Sequence, residues 1–200
     1  MDLHDGALAA PDCSRTRFSA LLLLLLGLPG LGQAAQITVD VARHDDSFEV
    51  EATAEIDADV TDAWKVLTDY DRLSEFIPGM LESRVISRDG LNVVVDQRGE
   101  TSVLFFTYPM QVRLAIEEQP YERIVSTAIS GNFKDLTGVY VLQSRGEQMS
   151  LRYEGRFTPD FDYPPLLGTL IVRSTVEKRF GAMVREIENA RRHSPAPAAR

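Results

Sequence analysis

The sequence predicts an α+β domain: a curved antiparallel sheet wrapped around one long C-terminal helix, with two short helices after the first strand. Three observations carry this. Stretches of apolar–polar alternation recur along the chain, each marking a strand with one buried face. The period lengthens to about 3.6 in two regions, residues 60–77 and 166–192, which marks helices. The later strands are joined by short turns, and strands joined that way pair antiparallel. A sheet apolar on one face needs a cover, and the long helix supplies it.

Composition sets the bounds. The chain has 200 residues, 44% hydrophobic and 26% charged, which excludes a disordered, collagen-like or disulfide-scaffold protein and fits one domain. Its 21 basic and 30 acidic residues give a net charge of −9 without a basic block, which argues against nucleic acid as a partner. Any membrane contact is expected to be transient. Cys13 is the only cysteine, so no intrachain disulfide forms.

Residues 1–34 read as a cleaved signal peptide. Arg15-Thr-Arg17 supplies a short basic region and Leu21 to Leu26 an apolar core. The apolar run from Phe18 to Leu31 is 14 residues, short of the about 20 that span a bilayer. Pro29 and Gly30 end it, and Gly32 and Ala34 are small residues placed for a cut after Ala34. An uncleaved N-terminal anchor is the competing reading. Asp2, Asp5 and Asp12 are unusual in such a segment and suit a translation start downstream of Met1. Loss of residues 1–34 removes three acidic and two basic residues, leaving −8 and no cysteine. The expected location is periplasmic or secreted, with the domain over residues 35–192 and a frayed tail over 193–200.

Within the domain, Phe48 to Ile56 alternates strictly: Phe48, Val50, Ala52, Ala54 and Ile56 face one way and Glu49, Glu51, Thr53 and Glu55 the other. Val60, Ala63, Trp64 and Leu67 then line one face of a short helix, with Asp57 and Asp59 as capping candidates. Tyr70, Leu73, Phe76 and Ile77 form the apolar side of a second, which Pro78-Gly79 stops. Strands are predicted at 81–87 and 91–98 around the turn signal Arg88-Asp89-Gly90. Further strand signals are the apolar run 103–108, the alternation 110–117, and 123–129, 136–143 and 149–157. Gly131 to Lys134 reads as a break. A loop rich in aromatics and prolines, 159–165, precedes the long helix.

The stretch Asp62-Ala-Trp64-Lys-Val-Leu67-Thr-Asp69-Tyr70-Asp-Arg-Leu-Ser-Glu-Phe76-Ile-Pro78 resembles the opening of the START-like superfamily, in particular its polyketide cyclase/dehydrase and coenzyme-Q-binding branch. Ser83-Arg84-Val85 after the Pro-Gly fits as well, and the likeness covers roughly residues 46–190. It implies a helix-grip fold with a cavity between sheet and long helix that takes a lipid, quinone or similar hydrophobic small molecule. Two functions follow from different classes: an exported binding protein, or a cyclase/aromatase acting on a polyketide-like substrate. Export favours the first.

If such a cavity exists, Trp64, Phe76, Gln97, Phe106, Tyr108, Tyr140, Tyr153, Phe161, Leu167 and Ile171 are its expected ligand-binding residues. Phe105 and Phe157 stand with these among the aromatics on cavity-facing positions, most of which are expected to be core and a minority to line the pocket. Gln97 shares a face with Val93 and Val95, and a buried amide there needs a partner from the protein or a ligand. Tyr153 brings a hydroxyl to an inward face. Arg84 and Arg156 are the candidates for an acidic headgroup, although Arg156 alternates outward. Asp69 is expected to cap the second helix rather than act as a base. His44 and His193 lie near the two ends, so neither a metal site nor a serine–histidine–acid triad is expected. No catalytic residue and no cofactor is assigned.

Overall fold

A computed structural model describes residues 35–103, 106–146, 148–160 and 167–193. Eight antiparallel strands form one sheet in the order β1-β2-β8-β7-β6-β5-β4-β3. They are β1 (Ile37–His44), β2 (Ser47–Ile56), β3 (Met80–Asp89), β4 (Asn92–Val103), β5 (Phe106–Gln119), β6 (Arg123–Gly131), β7 (Phe133–Arg145) and β8 (Gln148–Pro159). Between β2 and β3 lie α1 (Val60–Thr68), one 3-10 turn (Tyr70–Arg72) and α2 (Leu73–Phe76). The chain thus crosses to the far edge of the sheet through these helices, then meanders back until β8 pairs with β2. Helix α3 (Gly168–His193) follows.

The strand faces follow the alternation. In β2, Phe48, Val50, Ala52, Ala54 and Ile56 are all buried, and in β8 Met149 and Leu151 are fully enclosed. The opposite face carries charge pairs across strands: Arg152 with Glu51 at 3.2 Å, Arg113 with Asp96 at 2.5 Å, and Arg156 with Glu49 at 3.9 Å. Arg156 therefore points away from the core, and Arg84 pairs with Glu82 at 3.1 Å on the surface. Register shifts in the β3–β4, β5–β6 and β7–β8 pairs bend the sheet, as bulges do. The core runs from β2, β4, β5 and β8 to α1 and α3, where Phe180, Val184 and Ile187 are buried.

The structure departs from the sequence reading in three places. Strand β1 was not expected; it pairs with β2 along its length around a turn at Asp45, φ 53°. The apolar run 103–108 is not one strand: β4 ends at Val103, β5 begins at Phe106, and these two residues pair. The capping expectations also change. Asp59 sits at the start of α1, but its backbone carbonyl rather than its side chain accepts from Asp62 and Ala63. Asp69 makes no side-chain cap and instead pairs with Arg72 at 3.4 Å. It is Asp71 that anchors this segment, accepting from the Val85 N–H of β3 at 2.8 Å.

The break at Gly131-Asn132 has a steric cause. Gly131 has φ 135°, and a Cβ there would lie 2.1 Å from the Gln111 carbonyl oxygen. The close approach lets the Asn132 side chain accept from Gln111 N–H at 2.9 Å and donate to the Pro109 carbonyl at 2.6 Å, which extends the tie between β5 and the β6–β7 turn.

Candidate ligand cavity

Between the concave face of the sheet and α3 lies a cavity of about 260 Å³. Its enclosed end is made by Leu67, Leu73 and Ile77 of the helical segment, Ile116 and Ile124 of β5 and β6, and Phe180 and Met183 of α3, all buried. Its other end is lined by half-buried side chains: Thr101, Met110, Phe133, Leu136, Phe157 and Thr175. On α3 the lining residues are Val172, Thr175, Val176, Arg179, Phe180 and Met183, a spacing that presents one helix face.

Few polar groups interrupt this lining, as is usual for small-molecule sites. Gln97 lines the cavity and donates to Ser83 Oγ at 3.3 Å, so a protein group satisfies its amide. Ser126 donates to the Gly138 carbonyl at 3.1 Å. Arg179 donates to the Pro78 carbonyl at 3.2 Å and to the Glu100 carbonyl at 3.3 Å, which holds the Pro78-Gly79 turn and β4 against α3. Tyr140 and Tyr153 are register partners on β7 and β8, with ring centroids 4.8 Å apart. The Tyr153 ring lies along its own strand: a Cβ on Gly155 would come within 2.6 Å of its hydroxyl oxygen. Glycine at 155 is therefore what allows the phenol to rest against the sheet.

Tyr70 borders the cavity from the other side. Its hydroxyl donates to Glu118 at 3.0 Å, and Arg88 donates to both oxygens of the same carboxylate at 3.1 and 2.9 Å. Glu118 is 5% exposed. This buried group ties the 3-10 turn to β3 and β5.

Burial pushes the phenols of Tyr70, Tyr140 and Tyr153 above their ordinary value of 10.0; Glu118 adds to the rise at Tyr70, and nearby Arg179 opposes it at the other two. The neutral hydroxyl is the form the fold favours. A folded-state value above the unfolded one contributes stability that is intact below pH 10.0 and is lost as pH rises past it. Urea midpoints are accordingly expected to be insensitive to this group from about pH 7 to 9 and to fall above about pH 10, less steeply in Tyr140→Phe/Tyr153→Phe. An equal fall in the variant would assign the alkaline loss elsewhere.

Of the residues expected from the sequence, Gln97, Tyr140 and Tyr153 line the cavity. Trp64 does not: it packs beside Tyr121 of the β5–β6 turn, centroids 5.6 Å apart. Phe76 is half-buried against the core, and the adjacent Ile77 takes the lining position. Ile171 is buried one position off the lining face of α3, which Val172 occupies, and Leu167 is 37% exposed before that helix begins. Tyr108 is half-buried on β5, outside the lining. Phe161, Phe105 and the side chain of Phe106 lie outside the described residues. The sequence reading assigned none of the other lining residues to the ligand, among them the polar Thr101, Ser126, Thr175 and Arg179. Thr101 and Ser126 carried a usable signal, since each continues the inward parity of a strand, after Gln97 and Ile124 respectively.

Among the described residues, no group of three or more His, Cys, Asp or Glu side chains could hold a metal ion. No helix among them is long and apolar enough to cross a membrane.

A curved sheet closed over a long helix around an apolar cavity defines a helix-grip protein. The family model for polyketide cyclase / dehydrase and lipid transport matches residues 56–187, and the chain belongs to that family. A search of curated proteins finds no significant match. Among solved structures, the STAR-related lipid transfer protein (fragment 25-204) from Xanthomonas axonopodis aligns with TM-score 0.63 at 14% identity, over 76% of this chain and 93% of that one. The Zhui aromatase/cyclase from Streptomyces sp. R1128 aligns with TM-score 0.62 at 14% identity, over 75% of this chain and 97% of that one. A START superfamily protein from Mycobacterium smegmatis aligns with TM-score 0.57 at 13% identity, over 72% and 97%. At such identities the likeness is one of fold.

Proposed function

We propose that this chain is an exported binding protein that holds a compact hydrophobic molecule between its sheet and α3. The observation that carries the reading is the cavity of about 260 Å³, lined chiefly by aliphatic, aromatic and methionine side chains. Ligand sites commonly occupy about 300–1,000 Å³, so this one suits a one- or two-ring molecule, such as a quinone head, or a short chain rather than a whole diacyl lipid. Family membership supports a hydrophobic ligand. The basic, apolar and small-residue order of residues 15–34 supports export by cleavage after Ala34. Leu167 and Leu170, 37% and 64% exposed at the start of α3, support brief membrane contact during loading.

Native mass spectrometry of the protein recovered from the periplasm tests this. The expected result is a chain beginning at Ala35 with one small hydrophobic molecule that solvent extraction releases unchanged. Recovery of a cyclised product from a supplied polyketide-like substrate would replace the carrier with a cyclase. A chain that retains residues 1–34 and carries nothing would overturn both export and binding.

A further inference from the structure

We propose that Tyr140 and Tyr153 form a subsite for a neutral carbonyl oxygen, so that the cavity takes a compact ring system bearing a ketone or quinone-type oxygen. The inference rests on the hydrophobic-binding reading above and names the polar feature of its ligand. Every fully enclosed side-chain nitrogen and oxygen of the described residues has a hydrogen-bond partner. The Tyr140 and Tyr153 hydroxyls have none among those residues, so they open onto the cavity. A phenol that faces an apolar cavity without a protein acceptor is able to donate to one on a ligand, and the register pairing brings two such donors to the same wall.

The local sequence builds this arrangement. Tyr140 pairs with Tyr153, and two residues along the same face Gly138 pairs with Gly155. The glycine pair leaves room in which the Tyr153 ring lies down, with its hydroxyl 3.1 Å from where a Gly138 Cβ would stand. Both phenols are register partners on central strands, so they are held more firmly than loop groups would be. They are neutral donors in a mainly apolar space. A neutral acceptor enters that space without the desolvation an ion would suffer, which favours a carbonyl over a carboxylate.

The test compares naphthalene with 1-acetylnaphthalene by titration calorimetry on the mature protein and on Tyr140→Phe/Tyr153→Phe. Loss of two hydroxyls removes no packing atom of the rings, so the variant is expected to fold, and its own naphthalene affinity is the reference against which its ketone affinity is read. In the wild-type protein 1-acetylnaphthalene is expected to bind about tenfold more tightly than naphthalene, and in the variant equally. If the ketone has no advantage, or keeps it in the variant, the subsite is refuted while the hydrophobic reading stands. If naphthalene itself fails to bind, both fall.

Discussion

Thr175→Trp is expected to abolish uptake of a small apolar ligand while the protein stays folded. Thr175 is half-buried on α3 and faces the cavity between Val172 and Arg179. An indole placed there projects into a space of about 260 Å³ and fills much of it. Native interiors have few voids larger than a water molecule, so an open space of this size can take the ring without the overpacking that a dense core would suffer. Tryptophan is tolerated in helices at well under about 1 kcal/mol. Naphthalene affinity should fall more than about tenfold, with the urea midpoint unchanged or raised. Thr175→Ser is the control and should bind as the wild-type protein does. Unchanged binding in Thr175→Trp would place the ligand elsewhere on the molecule.

Arg88→Met should be the most destabilising single change at a charged position. Arg88 is 42% exposed, but its partner Glu118 is 6% exposed at the side chain and accepts two of its hydrogen bonds from Arg88. Without the guanidinium, the Glu118 carboxylate keeps, among the described residues, the Tyr70 hydroxyl. Losing one partner of a fully buried pair destabilises by about 3–5 kcal/mol. Discounted for the exposure of Arg88, about 2 kcal/mol is expected, or about 4–8 °C in Tm. Arg88→Met/Glu118→Met should recover more than half of the loss, because removing both partners leaves no charge stranded. A double variant as unstable as the single one would mean that the cation–π contact of the Arg88 guanidinium with the Tyr70 ring, 5.9 Å from guanidinium carbon to centroid, carries the effect.

The strands and the covering helix were legible because burial on one face writes a period directly into the sequence. Phe48 to Ile56 shows this without interruption, and Ile37, Val39 and Val41 alternate in the same way. Strand β1 was overlooked although this signal was present; in the structure only Val39 of the three is fully buried. Parity also located Gln97 and Tyr153. It could not tell depth along a strand, which the bulges and the curvature of the sheet decide.

The cavity face of α3 was the least legible part. Thr175 and Arg179 lie on it, and in sequence they read as a solvent face. The apolar pattern of the helix held Val176, Phe180 and Met183, which line the cavity, but the two positions chosen from it as ligand-binding, Leu167 and Ile171, lie beside the lining. Aromatic character misled in the helical segment: Trp64 and Phe76 pack outside the cavity, while aliphatic Leu67 and Ile77, their near neighbours, wall it.

The central claim is that the ligand lies between the sheet and α3. Methyl-group NMR of the mature protein during a titration with naphthalene tests it most directly. The account predicts that shifts concentrate at Leu67, Leu73, Ile116, Ile124 and Val176 and at the methionines Met80, Met110 and Met183, with Ile37, Ile86 and Ile129 unmoved. Shifts confined to surface methyls, or spread without regard to the cavity, would contradict it.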